Sequence, residues 1–328
     1  VTHDEARPAV SASLAERVVR GDVRAIARAI SLVENEDPAG AAVIRAVFPH
    51  SGRAYLVGVT GPPGAGKSTL VDRLTTAIRS GGRTVGVVAV DPTSPFTGGA
   101  VLGDRLRMQT HAGDDGVFIR SMATRGHLGG LSRATGDAAL ILDAAGREIV
   151  LIETVGVGQD EVEIVRTADV SVVTLVPGTG DEVQALKAGI MEIADIFVVN
   201  KADREGADRL VSAIETTLSL QSYGPDQWRP PILKTVATTG SGVDHLWQTL
   251  ERFRAHRGRS GRARLRERGE HRLRELVAQR FLDRLEHGVL EAGEWATTVD
   301  RIADRQLDPY TAADTLLARA LAPKGGAA

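Results

Sequence analysis

Between Ala54 and Ala237 the chain alternates short aliphatic runs (YLVGVT, TVGVVAV, GVFIRS, EIVLIET, VSVVTLV, DIFVVN and PILKTVA) with longer amphipathic stretches. Runs this apolar have no polar face, so they predict strands buried on both sides, and the amphipathic stretches predict the helices that cover them. The implied class is α/β, a doubly wound and mostly parallel sheet. Ligands of such sheets gather beyond the carboxyl ends of the strands, which directs attention to the residues that end each run.

The flanks have a different period. Leu14, Val18, Val19, Val23, Ile26, Ala27, Ile30 and Val33 fall at helical spacing, interrupted at Gly21-Asp22 and Asp37-Pro38, and predict a small helical preface. Beyond Glu251 the strand pattern stops. An arginine-rich stretch leads into helical spacing through Leu273, Leu276, Val277, Phe281 and Leu285, and LDPYTAAD predicts a last helix with Asp308 as cap and Pro309 in its first turn. Its apolar positions Leu316, Leu317, Ala320 and Leu321 call for cover from the main domain or from a second subunit. The expected division is a helical extension over residues 1–50, an α/β domain over 51–256 and a helical arm over 257–328. Trp228, Trp247 and Trp295 are expected to fill gaps in helix packing.

The chemistry lies at the run ends. GPPGAGKST follows YLVGVT and precedes the helical TLVDRLTTAI, the strand–turn–helix setting that the phosphate-binding pattern G-x-x-x-x-G-K-[ST] requires. The glycines Gly61, Gly64 and Gly66, with Ala65, would let backbone N–H groups turn inward around phosphate oxygens; Pro62 and Pro63, which have no N–H, belong to the same binding loop, and Thr69 lies in the first turn of a helix whose positive end faces those oxygens. Lys67 would reach the β- and γ-phosphates, and the Ser68 hydroxyl would ligate Mg²⁺.

DIFVVN runs into NKAD. The Asp203 carboxylate can accept from guanine N1–H and N2–H₂ together, a pair that adenine does not offer. Asn200 can bond N7 and the Lys201 stem can cover the base, while Ala237 and Thr238 in the later TVATTGSG are placed for contacts to the guanine O6. Further acidic groups lie at run ends: Asp91 after TVGVVAV, Asp104 in the loop FTGGAVLGDRL, and Glu153 after EIVLI. With Ser68 they form a candidate oxygen shell for Mg²⁺. The bland readings are a turn before Pro92, a helix cap at Asp104 and a solvated strand end at Glu153.

Composition narrows the rest. There is no cysteine, which excludes disulfides, thiolate zinc sites and cysteine nucleophiles, and the eight histidines include no i, i+4 pair. The formal net charge of -2 gives no general attraction to nucleic acid or anionic lipid. Glutamates interleave the arginines of 252–274, so a solvated helix face is the expected reading there rather than a nucleic-acid site. No apolar run approaches the roughly 20 residues of a membrane span, and VTHDEARPAV has no apolar signal core, so no membrane association and a cytoplasmic setting are expected.

On GPPGAGKST, VDPTSPFTGGAVLGDRLRM, TRGHLGGLSRAT, ETVGVGQDE, VPGTGDEVQALKAG, NKAD and LDPYTAAD, the chain resembles the P-loop GTPases that assist metal- and cobalamin-dependent enzymes. It is most similar to the methylmalonyl-CoA mutase-associated group, also labelled arginine/ornithine transport-system kinases. The resemblance covers nearly the whole chain. It implies binding of GTP and GDP with Mg²⁺, and Glu153 in the place of the usual Walker-B aspartate. It also implies a homodimer formed through the C-terminal arm, a mobile segment over residues 177–187 with Asp181, Gln184 and Lys187 as signalling candidates, and an adenosylcobalamin-dependent acyl-CoA mutase as client. Many GTPase switches follow the Asp-x-x-Gly glycine directly with a water-orienting glutamine. Here Gly156 is kept, Val157 stands next, and Gln159 comes two residues later. Slow intrinsic hydrolysis, completed by a partner, is the expected consequence. No D-x-H-x-x-G is present, so cobalamin itself is expected to bind the client. The competing expectation is a P-loop kinase tied to arginine/ornithine transport, against which NKAD argues because a kinase gains nothing obvious from guanine selection.

Overall fold

The computed structural model describes residues 6–91, 109–111, 113–123, 130–154, 167–178, 190–258 and 261–321. Seven strands, β1 (Tyr55–Thr60), β2 (Val85–Asp91), β3 (Val117–Ala123), β4 (Ile149–Glu153), β5 (Val170–Leu175), β6 (Ile196–Asn200) and β7 (Ile232–Thr235), form one sheet. Its order is β3-β2-β4-β1-β5-β6-β7, with every pairing parallel. Each strand falls on one of the seven aliphatic runs. All seven carboxyl ends therefore lie along one edge, and β1 sits at the centre between β4 and β5.

The helices among the described residues are α1 (Ala6–Val19), α2 (Val23–Glu34), α3 (Pro38–Val47), α4 (Lys67–Ser80), α5 (Gly130–Ala144), α6 (Ile190–Ile193), α7 (Ala207–Leu218), α8 (Val243–Arg257), α9 (Gly261–Gly288), α10 (Glu294–Ala303) and α11 (Pro309–Leu321). They group into two compact units, Val1–Ser260 and Gly261–Ala328.

Alternation along β4 shows how the first unit is layered. Ile149 and Leu151 face a core with Leu70, Leu74 and Ile78 of α4 and Leu246, Leu250 and Phe253 of α8. Val150 and Ile152 face the opposite core, with Ile26 and Ile30 of α2, Val43 and Val47 of α3, and Ile141 and Leu142 of α5. The helical preface thus shares a core with the sheet. Each such aliphatic side chain, fully buried, contributes about 1.5–3 kcal/mol over exposure. A third cluster packs Leu210, Ile214 and Leu218 of α7 on Phe197 and Val199.

Polar contacts fix where the preface begins and ends. Asp22 caps α2 by accepting from the Ala25 N–H at 2.9 Å and is gripped by Arg17, two contacts that hold its carboxyl below the usual range. Asp37 caps α3, with Pro38 in its first turn. At the end of α5, the Asp143 carboxylate accepts from the backbone N–H groups of Gly52, Arg53 and Ala54, anchoring the entry to β1. On β3, Arg120 donates to Ser31 and pairs with Glu34, tying that edge strand to α2.

In the second unit Asp308 accepts from the N–H groups of Tyr310 and Thr311, so the last helix begins at the predicted cap. Ala312, Leu316 and Leu285 are buried, and Arg319 pairs with Glu294. Apolar Leu273, Val277 and Leu321 remain well exposed. Trp295 departs from expectation: it is 44% exposed, on a helix with no buried residue, and fills no gap. Trp228 does pack, edge-on against Phe253 at 4.9 Å, and donates to the Asp195 carbonyl. Among the described residues no helix is long and apolar enough to cross a membrane.

Beside Trp228, the Asp195 side chain accepts from the Ser171 N–H at 2.9 Å and lies 3.7 Å from the Arg257 guanidinium. Burial dominates and pushes its carboxyl up to about 6. The folded state then holds this proton more tightly than the unfolded chain, so the group's stabilising contribution is complete below its ordinary value of 3.8 and is lost as pH rises through about 6. Asp195→Asn keeps an acceptor for Ser171 without the charge. Denaturant titrations should show the variant gaining on the wild type by an amount on the order of 2 kcal/mol between pH 4 and pH 7; a constant difference across that range would contradict the assignment.

Candidate functional site

The phosphate-binding turn leaves β1 at Thr60 and enters α4 at Lys67. Two glycines in it are dictated by close approach. A Cβ on Gly61, whose φ is 137°, would stand 2.0 Å from the Thr174 carbonyl oxygen, so only a hydrogen lets the turn pass β5. A Cβ on Gly66, φ 84°, would stand 2.6 Å from Asn200 Nδ2. Gly66 also begins α4 without a capping side chain, so the first N–H groups of the helix, at Lys67, Ser68 and Thr69, lie at an end suited to an anion. Pro62 and Ala65 close a turn through a 3.2 Å bond, while Pro63 and Gly64 are exposed at its rim. Lys67 is buried and donates to the Gly61 and Pro62 carbonyls at 2.7 and 3.1 Å, which holds its ammonium over the turn.

Glu153 ends β4, paired with Val59 on one side and Ala89 on the other. Its side chain is buried, and the equally buried Ser68 hydroxyl donates to Oε1 at 2.6 Å. The structure therefore rules out the solvated strand end at Glu153. Two oxygen donors, one of them anionic, meet at the start of α4 and suit Mg²⁺. Asp91 ends the neighbouring strand β2, and the description of its side chain, like the whole of Asp104, Gly156 and Gln159, lies outside the described residues. The same is true of Asp181, Gln184 and Lys187.

Asn200, at the end of β6, is buried and joins three segments. Its Nδ2 donates to the Ala65 carbonyl at 2.8 Å, and its Oδ1 accepts from the Thr235 hydroxyl and the Ala237 N–H, both at 3.1 Å. One Nδ2 hydrogen goes to the phosphate turn, and an amide carries a second that can serve N7. Lys201 adopts a positive φ of 55° and donates to the Gly64 carbonyl at 2.8 Å, laying its stem across the turn. Asp203 is exposed in the turn that follows. Ala237 is buried, Thr238 is exposed, and the Thr238 carbonyl accepts from Arg73 of α4 at 3.1 Å.

The structure therefore brings Gly61 to Thr69, Glu153, Asn200, Lys201, Ala237 and Thr238 to one edge of the sheet. The bracing roles of Asn200, Lys201 and Arg73 were missed in the sequence, because NKAD suggests contacts to a base and gives no sign of contacts to a distant loop. In the arginine stretch, Arg254 lies over the Tyr55 ring at 5.0 Å, and Arg274 pairs with Glu270 one helical turn away. Both are structural uses of charge.

A phosphate turn at the head of a central strand, with an N-K-x-D turn two strands along a parallel sheet, defines a P-loop GTPase. The family model described as methylmalonyl Co-A mutase-associated GTPase MeaB matches residues 26–289, and the chain belongs to that family. A putative GTPase of Pyrococcus abyssi is 51% identical over 308 residues, covering 93% of this chain and 95% of that one. The mitochondrial methylmalonic aciduria type A homolog of Mus musculus is 34% identical over 268 residues, covering 80% and 65% respectively. Among solved structures, a LAO/AO transport system kinase superposes with a TM-score of 0.71 at 27% identity, covering 94% of this chain and 97% of that one. The chain is a GTP-hydrolysing enzyme related to the mutase-associated chaperones.

If Asn200 braces the pocket, its loss should weaken all guanine nucleotides alike. Asn200→Ala removes partners from the Ala65 carbonyl, the Thr235 hydroxyl and the Ala237 N–H, and should cost about 1–3 kcal/mol of stability. Calorimetric titration should show GTP and GDP both bound at least about tenfold more weakly; wild-type affinity for either would contradict the bracing role.

Proposed function

We propose that this protein is a guanine-nucleotide switch that serves an adenosylcobalamin-dependent acyl-CoA mutase, methylmalonyl-CoA mutase in the first instance, by gating cofactor loading and protecting the enzyme. The observation that carries the switch is the buried contact of Ser68 with Glu153, because it joins the phosphate helix to the strand whose end leads into residues 155–166. The family's association with methylmalonyl-CoA mutase supports the client.

In this reading the N–H groups from Gly61 to Thr69 and the Lys67 ammonium hold the β- and γ-phosphates, while Pro62, Pro63 and Ala65 shape the turn. Lys67 exchanges the Gly61 and Pro62 carbonyls for phosphate oxygens. Asp203 accepts from the guanine edge, Asn200 offers its second N–H to N7, Lys201 covers the base, and Ala237 and Thr238 line the O6 side. Ser68 and Glu153 would hold Mg²⁺, with Asp91 and Asp104 completing the acidic surroundings; the ion supplies neutralisation of charge on the β- and γ-phosphates. Gly156 would give the γ-phosphate a backbone N–H, and Gln159 is the candidate to orient water. Val157 cannot orient water, so unassisted turnover is slow and the client completes the site. Hydrolysis then releases the segments held by the γ-phosphate, a shift of population between two arrangements.

The exposed Leu273, Val277 and Leu321 of the second unit support a homodimer through residues 257–328.

The deciding experiment captures candidate acyl-CoA mutases on this protein with GDP or a non-hydrolysable GTP analogue, then measures GTP hydrolysis with and without the captured mutase. Association should depend on the nucleotide, and the mutase should speed hydrolysis at least about tenfold, as partner-completed sites do. Nucleotide-insensitive association, no association, or transfer of phosphate to arginine would contradict the reading.

A further inference from the structure

Two threonine hydroxyls meet beneath the site. Thr60 is the last residue of β1, directly before Gly61, and Thr154 directly follows Glu153. Both are buried, and Thr154 Oγ1 donates to Thr60 Oγ1 at 2.9 Å. The Thr154 N–H also donates to the Val59 carbonyl at 3.1 Å, extending the β1–β4 ladder one residue past Glu153. The chain is thus held to β1 by backbone and side chain at the point where the phosphate turn and the segment after Thr154 both depart.

We infer that the Thr60–Thr154 hydroxyl pair is the positioning contact that sets the Glu153 carboxylate against the Ser68 hydroxyl, and that Thr154 thereby tunes the affinity of this pair for a divalent cation without touching it. The inference rests on the proposed metal role of Ser68 and Glu153. Glu153 reaches Ser68 from a strand next to β1, through a side chain with three rotatable bonds, so its reach depends on how firmly its backbone is anchored. The ladder bond to Val59 fixes the height of the backbone; the hydroxyl pair resists its rotation away from β1. Groups that orient metal ligands in this way typically change metal affinity by about 10–100-fold when removed. A threonine in this position also explains a feature with no other evident purpose, since valine has the same shape and suits a buried strand end equally well.

The test compares full-length wild type with Glu153→Gln, Thr154→Ser, Thr154→Val and the double variant Thr60→Val/Thr154→Val. The readouts are the Mg²⁺ concentration that half-maximally slows release of a fluorescent GDP, the affinity for GDP in EDTA, and the thermal unfolding midpoint. Thr154→Val should raise the half-maximal Mg²⁺ concentration about tenfold or more, with GDP affinity in EDTA unchanged. Thr154→Ser should restore the wild-type requirement. Thr154→Val leaves the Thr60 hydroxyl buried without its partner, whereas the double variant removes both polar groups and should recover the unfolding midpoint. Its Mg²⁺ requirement should nevertheless stay raised, which a merely structural pair would not produce. A wild-type Mg²⁺ requirement in Thr154→Val, or in the double variant, overturns the positioning role if Glu153→Gln itself raises the requirement. An unchanged requirement in Glu153→Gln overturns the metal reading on which the inference stands.

Discussion

The buried carboxamide of Asn200 is the contact on which the pocket depends. One neutral side chain donates to the phosphate turn and accepts from Thr235 at the end of β7 and from Ala237 just beyond it. A charged side chain in the same place would need compensation for burial; an amide satisfies donor and acceptors with no net charge. Gly66 is part of the same design, because a Cβ there would collide with the amide nitrogen. The phosphate turn, the end of β6 and the residues from Thr235 to Ala237 are thereby held at fixed mutual spacing, which under the proposed function would let one nucleotide touch all three.

A second junction lies on the other side of β1. Ser68 bonds Glu153 and Thr60 bonds Thr154, so the strand end that carries Glu153 is tied both to the phosphate helix and to the root of the phosphate turn. β1 is flanked by β4 and, through β5, by β6, so its central place in the sheet makes both junctions possible. Glutamate has one methylene more than the usual aspartate, and here the longer arm spans from β4 to the first turn of α4.

The inner strands were legible because they are buried on both faces, which leaves an aliphatic run such as IVLIE with little polar interruption. The phosphate turn was legible because its glycines, lysine and serine answer local demands. Asp22, Asp37 and Asp308 announce their helices for the same reason, since a cap acts within three residues. Contacts that join distant segments leave no such trace: Arg73 to Thr238, Lys201 to Gly64, and Asp143 to the start of β1 depend on the packed sheet. Trp295 was misjudged because an aromatic residue at helical spacing looks like core whether or not a neighbouring surface covers it.

The central claim is that a phosphate cradle and an acidic purine-reading turn form one guanine-selective pocket, with Asp203 supplying the selection. Its most direct test is calorimetric titration of wild type and Asp203→Ala with GTP and ATP in the presence of Mg²⁺. The account predicts that wild type prefers GTP by at least about a hundredfold, and that the variant loses most of that preference through weaker GTP binding, as expected when a paired hydrogen-bond acceptor is removed. An Asp203→Ala protein that distinguishes the two purine nucleotides as sharply as wild type would contradict it.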